Sequence, residues 1–281
     1  ASASRRQNTR FVYTPQTIDI RRSEWHRLYR LVECNLAHLT DAIISVNEAD
    51  RQRLIEWGIS PGRVITIPNG IDLDALQHPV EQRAARHALG LDPDRPVVIQ
   101  VARLIEQKNP LAFVEGAALV LQQRSDVQFA MIGQGPLEEI VALRIQERGL
   151  QEQIHLLGWH DQAHKLMSAA DVITLTSRWE GSPYSLLEAM AASRPVVTTF
   201  VNGCPEIVAD GESGLLAPSG DVPAWASKVI QLIDQPALAE RMGKMGRERA
   251  KERFSIHSTT AQTVRLYQTL VQQGLAAQKK R

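Results

Sequence analysis

From Pro96 onward, short apolar runs and segments of helical period take turns along the chain, and no other feature restricts its fold as strongly. The runs fall at 97–102, 127–132, 154–158, 171–175, 195–199 and 214–217. Alternation of this kind predicts a parallel sheet with helices on both faces. Upstream, "DAIISVN" (41–47) reads as a buried strand, "EADRQRLIEWG" as a helix closed by Gly58, and "RVITIPNG" (63–70) as another strand. The polar, turn-rich stretch 71–95 reads as the linker between two domains. Beyond Asp221 the pattern is helical to the end, with 254–273 a long amphipathic candidate.

Three helix starts are marked by proline. Asn109-Pro110, Gly135-Pro136 and Ser182-Pro183 each read as an N-cap followed by proline at the first helical position. Proline fits there because its missing N–H would have no partner within the helix. All three follow predicted strand ends, at the sheet edge where open parallel sheets bind ligands.

A chain of 281 residues is long enough for two domains, each able to bury a core. With 43% hydrophobic and 22% charged residues and a formal net charge of +1, it is a globular protein that does not bind nucleic acid by bulk charge. Cys34 and Cys204 belong to no CxxC or Cys/His pattern, so a reducing compartment is expected and neither a disulfide framework nor a zinc site is. No apolar run reaches membrane-span length and "ASASRRQNTR" has no signal-peptide core, which predicts a cytoplasmic protein. Residues 1–30 carry seven arginines (Arg5, Arg6, Arg10, Arg21, Arg22, Arg27, Arg30) against Asp19 and Glu24, with Trp25 and Tyr29 among them. Such a surface suits anionic headgroups or a phosphorylated acceptor. Trp25, Leu28, Tyr29, Val32, Leu36 and Leu39 also keep helical spacing, the pattern of a face turned to a core.

The stretch "EGSPYSLLEAMA" sets Glu180 before a helix start and Glu188 about six residues up that helix from Ser182, a rise of roughly 9 Å. Unpaired first-turn N–H groups and the helix dipole suit a phosphate or pyrophosphate between the two carboxylates. Carboxylates accept from sugar hydroxyls, so a sugar on one side and a ribose on the other would satisfy both. Arg103 ends the strand "VVIQVARL" and Lys108 follows in the next loop. They supply a bidentate fork and a point charge for the diphosphate, and could stabilise the charge on a departing nucleoside diphosphate.

"EGSPYSLLEAMA" resembles the glutamate, any seven residues, glutamate motif of the retaining glycosyltransferases of family 4, which have the GT-B fold. The resemblance continues through "ITIPNGIDLDAL", "VARLIEQKNP", "MIGQGPL", "ADVITLTSRWEG" and "RPVVTTFVNGCPEIVADGESGLLAPSGD". It implies an α/β chain with a Rossmann-like, doubly wound C-terminal donor domain over 76–255, a partial N-terminal acceptor domain over 1–75, and a final helix, 256–281, crossing back to the first domain. It implies Arg103 and Lys108 on the donor's diphosphate, Glu180 on the donor sugar and Glu188 on the ribose. Backbone amides of Gly181, Ser182, Pro183, Tyr184 and Ser185 would support phosphate and sugar, proline contributing position alone, and Gly133 and Gly135 would line the nucleotide pocket. The implied activity is transfer of a hexosyl group, with retention, from a nucleotide sugar such as a UDP-sugar to a hydroxyl on a carbohydrate or lipid-linked acceptor. Surface polysaccharide or glycolipid synthesis is the expected setting, with peripheral contact at the inner face of the membrane through the basic region.

The chain departs from the family where relatives carry a histidine after an early strand: it reads "YTPQTID", with Gln16. The short first domain leaves a second reading, a nucleotide-sugar binding domain without catalysis. A third is a non-transferring enzyme of the same fold, such as a sugar epimerase. "GQGPLE" has Glu138 at the third glycine position of a dinucleotide fingerprint and is not expected to take a nicotinamide. Asp72, Asp74, Asp92 and Asp94 read as turn residues. His160 and His164 lack a completing ligand, so no metal or other cofactor is expected.

Overall fold

The computed structural model of the chain describes residues 9–18, 26–76 and 80–279. These residues gather into two compact units, one made of those up to Gly70 with those from Phe254 onward, the other of Ile71–Arg253. In the first unit β1 (Val12–Tyr13), β2 (Ala42–Ser45) and β3 (Val64–Thr66) pair in parallel in that order. Between β2 and β3 runs the helix Glu48–Glu56, opened by Asn47, whose side chain accepts from the Asp50 N–H at 2.7 Å. Capping by asparagine satisfies a donor that the helix cannot satisfy itself. The final helix, Ile256–Lys279, belongs to the same unit, and its Thr259 hydroxyl donates to the Pro68 carbonyl at 3.0 Å.

The helix His26–Leu39 faces the sheet differently from the expected arrangement. Val32, Leu36 and Leu39 are exposed, and the buried face carries Glu33 and Ala37. The cause is polar. The Tyr13 hydroxyl donates to the Glu33 carboxylate at 3.0 Å, and the Arg63 guanidinium donates to the Ala37 carbonyl at 2.7 Å at the helix's C-terminal end. Ala37 then packs with Ile18, Ile43, Leu54, Ile59 and Val64. Most of the arginine-rich stretch around Trp25, and the side chains of Leu28 and Tyr29, lie outside the described residues. Of the arginines within them, Arg10 pairs with Asp41 at 2.7 Å and Arg30 is exposed.

The second unit is built on six parallel strands: β4 (Val97–Val101), β5 (Gln128–Ile132), β6 (Ile154–Leu156), β7 (Val172–Leu175), β8 (Val196–Phe200) and β9 (Leu215–Pro218). Their order is β6-β5-β4-β7-β8-β9. Each lies within two residues of its expected apolar run. Strands β4, β5 and β7 are buried along nearly their whole length, as strands covered by helices on both faces must be. Phe113 sits at the centre of the core, edge-on to Phe129 and to Trp225, with ring centroids 5.7 and 5.9 Å away. The Trp225 indole N–H reaches the Thr174 hydroxyl at 2.7 Å, so the ring is buried without an orphaned donor.

The stretch 71–95 is not a free linker. It contains the helix Gln82–Ala88, with Ala85 buried. Arg86 there pairs with Asp171 at 2.7 Å and donates to the Ala169 carbonyl at 2.8 Å. A polar sequence reads as linker, but its arginine and glutamine find partners 80 to 90 residues along the chain, as the bonds from Gln82 to Ala170 and Asp171 also show. Asp72 and Asp92 do cap turns, accepting from the N–H groups of Asp74 and Ala75 and of Asp94.

Gly116 and Trp225 join the helices Pro110–Leu121 and Val222–Asp234 in a contact that leaves no room for a side chain, since a Cβ at Gly116 would overlap the indole ring. Gly116→Ala is expected to destabilise the chain by about 1–3 kcal/mol through overpacking. Urea unfolding followed by tryptophan fluorescence measures it, and an unchanged midpoint would refute this packing.

Candidate functional site

Strand order reverses between β4 and β7. Strands β5 and β6 lie on one side of β4, and β8 and β9 on the far side of β7. The connections that leave the C-terminal ends of β4 and β7 therefore diverge and leave a crevice, the usual ligand position in an open parallel sheet. Arg103 and Lys108 are on the connection after β4, and Glu180 is on the connection after β7.

Backbone and side-chain bonds fasten these two connections together. The Arg178 N–H donates to the Gln107 carbonyl at 2.8 Å, and the Gln107 amide donates to the Trp179 carbonyl at 3.1 Å. The Thr176 hydroxyl lies 2.9 Å from the Gln100 amide oxygen and 3.0 Å from the Asn109 carbonyl. The outcome is an ion pair between half-buried Lys108 and buried Glu180, Nζ to Oε1 at 2.5 Å, with the Ser177 hydroxyl donating to the same carboxylate oxygen. Glu180 is 3% exposed, so these partners take the place of water around its carboxylate. Arg103 is exposed, and among the described residues its guanidinium makes no hydrogen bond or ion pair.

Loop 133–135 after β5 closes one flank. The Gly133 N–H donates to the Gly158 carbonyl at 2.7 Å, and the Leu104 N–H donates to the Gln134 carbonyl at 3.0 Å. Gly133 has φ +141°, and a Cβ at Gly133 or Gly135 would overlap the carbonyl of Ala102 or Leu104. Glycine is required for that close approach. The helix expected to open at Gly135-Pro136 begins at Glu138 instead, because Gly135 and Pro136 are used in the turn that ends with Glu138 N–H on the Gly135 carbonyl.

The helix Tyr184–Ala191 begins one residue later than the Ser182-Pro183 reading. Pro183, at ψ 119°, is the N-cap and makes no side-chain capping bond. Asn109 likewise precedes Pro110 as expected but sits in the left-handed region at φ 48°, without a side-chain cap. Gly181, Ser182 and Pro183 are buried, Ser185 is half-buried and Tyr184 is exposed. The first-turn N–H groups of this helix bring the positive end of its dipole to the crevice edge. Farther along, Glu188 makes no side-chain hydrogen bond or ion pair among the described residues, and burial pushes its carboxyl up to about 7. The structure thus joins Lys108 to Glu180 directly and leaves Arg103 and Glu188 uncommitted.

The sequence reading missed Ser177, Thr176 and Gln107, the residues that hold the pair in place. Their signal was only position, just past β7 or between Arg103 and Lys108. In the first unit, Gln16 after β1 accepts from the Asn69 amide at 3.2 Å. Both cysteines are free, and burial raises the Cys204 thiol far above its ordinary value. No group of three His, Cys, Asp or Glu among the described residues could hold a metal ion. No described helix is long and apolar enough to cross a membrane.

Lys108→Met strands a buried carboxylate and is expected to lower stability by about 3 kcal/mol, with Lys108→Met/Glu180→Gln recovering part of it. Equal denaturation midpoints for Lys108→Met and the parent would remove the pair from the site's architecture. Glu188 gives a pH signature. Its folded pKa, about 7, lies above the unfolded value of 4.5, so the folded state holds the extra proton between them. Its contribution is fully present below about pH 4.5 and is lost as pH rises through about 7. Glu188→Gln is expected to flatten that decline in thermal melts taken from pH 5 to 8.

Residues 81–249 match the glycosyl transferases group 1 family, and residues 1–75 match glycosyltransferase family 4. The chain is 30% identical to EpsD of Bacillus subtilis (strain 168) over 274 residues, 95% of this chain and 71% of that protein. It is 29% identical to the UDP-Gal:alpha-D-GlcNAc-diphosphoundecaprenol alpha-1,3-galactosyltransferase of Escherichia coli over 234 residues, 82% of this chain and 60% of that one. Among solved structures, Anabaena Alr3699/HepE in complex with UDP and glucose superposes with a TM-score of 0.87 at 22% identity, covering 95% of this chain and 73% of that one. The chain spans 60% of the Escherichia coli enzyme's length, and the likeness to the Anabaena structure shows a shared GT-B fold built on Rossmann-like sheets. On the match over 81–249, this chain belongs to the glycosyl transferases group 1 family and carries its GT-B fold.

Proposed function

We propose that the chain binds a nucleoside diphosphate sugar in the crevice between β4 and β7 and serves a retaining hexosyltransferase of surface polysaccharide or glycolipid synthesis, at the cytoplasmic face of a membrane. The observation that carries this reading is the fixed Lys108–Glu180 pair at the switch point of the sheet, beside an Arg103 that makes no ion pair among the described residues. A diphosphate needs cations, a hexose needs a carboxylate acceptor for its hydroxyls, and this edge offers both within one bonded loop pair. Relatives' names agree with the class: the Escherichia coli protein is named for UDP-Gal, and the Anabaena structure holds UDP and glucose.

In this reading Arg103 grips the diphosphate as a fork. Lys108 shares its charge between Glu180 and the phosphate, Glu180 orients the donor sugar, and Glu188 takes the ribose hydroxyls. The bond from the sugar's anomeric carbon to the diphosphate oxygen breaks, and the acceptor hydroxyl oxygen bonds to the same carbon from the face being vacated. The acceptor's proton passes to the departing diphosphate. Positive charge from Arg103 and Lys108 grows in value as the leaving group gains charge. Two protein cations at this point supply what a metal would, and the reaction is proposed to need none.

Calorimetric titration with UDP tests the reading. Binding at micromolar to millimolar level is expected, with Arg103→Ala weakening it by about tenfold to a hundredfold, the loss of a charge-assisted hydrogen bond. Equal affinity in the two proteins would sink the assignment. A donor-binding chain without transfer is favoured by one observation, the three-stranded sheet of the first unit among its described residues. Under that reading the chain binds UDP but consumes no UDP-sugar when supplied with acceptor.

A further inference from the structure

The opposite edge of the six-stranded sheet holds a cavity of its own. At the N-terminal ends of the strands, beside Pro96 before β4, Asp171 before β7 and Pro195 before β8, lies a cavity of about 360 Å³. It is on the opposite edge from Arg103, Lys108 and Glu180, and its volume falls in the range of small-molecule sites. Leu232, Ile233 and Ala239, from the helices Val222–Asp234 and Pro236–Arg253, give it an apolar wall.

Every carboxylate on its wall already has a cation. Asp171 takes Arg86 at 2.7 Å as well as the Val97 N–H and the Gln82 amide. Asp94 pairs with Arg83, and Glu240 pairs with Lys244 at 2.5 Å. Two guanidinium groups on the wall form no salt bridge among the described residues, Arg95 and Arg194. Among the described residues, Arg95 donates to the backbone carbonyls of Asp126 and Ser125. Arg194 makes no side-chain hydrogen bond or ion pair among the described residues, and its Nε is buried without a partner. Its backbone is fixed, with Ser193 in the left-handed region at φ 55° and the Arg194 N–H on the Ala189 carbonyl at 2.9 Å. Burial lowers its pKa, the mark of a cation that has lost water and gained too little in exchange.

A guanidinium held in that condition against a cavity recruits an oxyanion, and its planar fork matches phosphate. We infer that this cavity is a second ligand site, for a phosphate-bearing small molecule whose phosphate sits on Arg194 and whose carbon skeleton lies on the apolar wall. The site is independent of the crevice between β4 and β7 and does not require its assignment.

Calorimetric titrations at constant ionic strength, with inorganic phosphate and with glucose 6-phosphate, test this on the chain and on Arg103→Ala, Arg194→Met and Glu240→Lys. Saturable binding is expected in the parent chain and in Arg103→Ala. It should weaken about tenfold or more in Arg194→Met and strengthen severalfold in Glu240→Lys. Tighter binding of the sugar phosphate identifies the ester as ligand and equal binding identifies phosphate itself; both uphold the site. Absence of saturable binding overturns the inference. So does loss in Arg103→Ala with retention in Arg194→Met, which would put the anion in the other crevice. Should Arg194→Met fail to fold, unchanged affinity in the surface variant Glu240→Lys overturns it equally.

Discussion

The ion pair of half-buried Lys108 with buried Glu180 is the constraint on which the candidate site depends. Removing either partner would be costly, because a buried ion left unpaired costs several kcal/mol. Each also comes from a different connection, one after β4 and one after β7. The pair therefore does more than satisfy two side chains. It closes the loops of the two central strands on each other, with Thr176, Ser177 and Gln107 as fasteners, and so fixes the rim of the crevice before any ligand arrives. Preorganised charge of this kind stabilises a developing anion without reorganisation at the moment of reaction.

The two glutamates of the EGSPYSLLEAMA stretch sit in different electrostatic surroundings, although eight positions separate them. Glu180 is bonded to the Lys108 ammonium group and to the Ser177 hydroxyl. Glu188 makes no ion pair among the described residues, and burial pushes its carboxyl up to about 7. A ribose diol donating to Glu188 would favour the charged form. The same logic applies at the other edge of the sheet, where Arg194 is a desolvated cation whose Nε has no hydrogen-bond partner among the described residues. Uncommitted charges mark places where a ligand can supply the missing half.

Much of this was legible in the sequence. The apolar runs at 97–102 and 195–199 became β4 and β8 within a residue or two, because buried parallel strands must be apolar throughout. Asn109-Pro110 marked a true helix start. What failed depended on partners far along the chain. Nothing local in "QRAARHA" tells that Arg86 meets Asp171, so a structural helix read as linker. Nothing in the spacing of Val32, Leu36 and Leu39 tells that Glu33 finds Tyr13, which turns the opposite face inward. Proline was a good sign of a start but not of its residue. Pro183 is the cap and not the first helical position, and Gly135-Pro136 is consumed by a turn against Leu104. At the site, charge type and strand-end position named Arg103, Lys108, Glu180 and Glu188. That Lys108 and Glu180 touch each other was not visible, since it follows from the adjacency of β4 and β7.

The most direct test of the account is a crystal structure of the chain with bound UDP. The account predicts the diphosphate at the amino end of the Tyr184–Ala191 helix, within hydrogen-bonding distance of Arg103 and Lys108, with the ribose hydroxyls on Glu188. A diphosphate bound away from the β4–β7 crevice, with Arg103 and Glu188 both out of contact with the nucleotide, would contradict it.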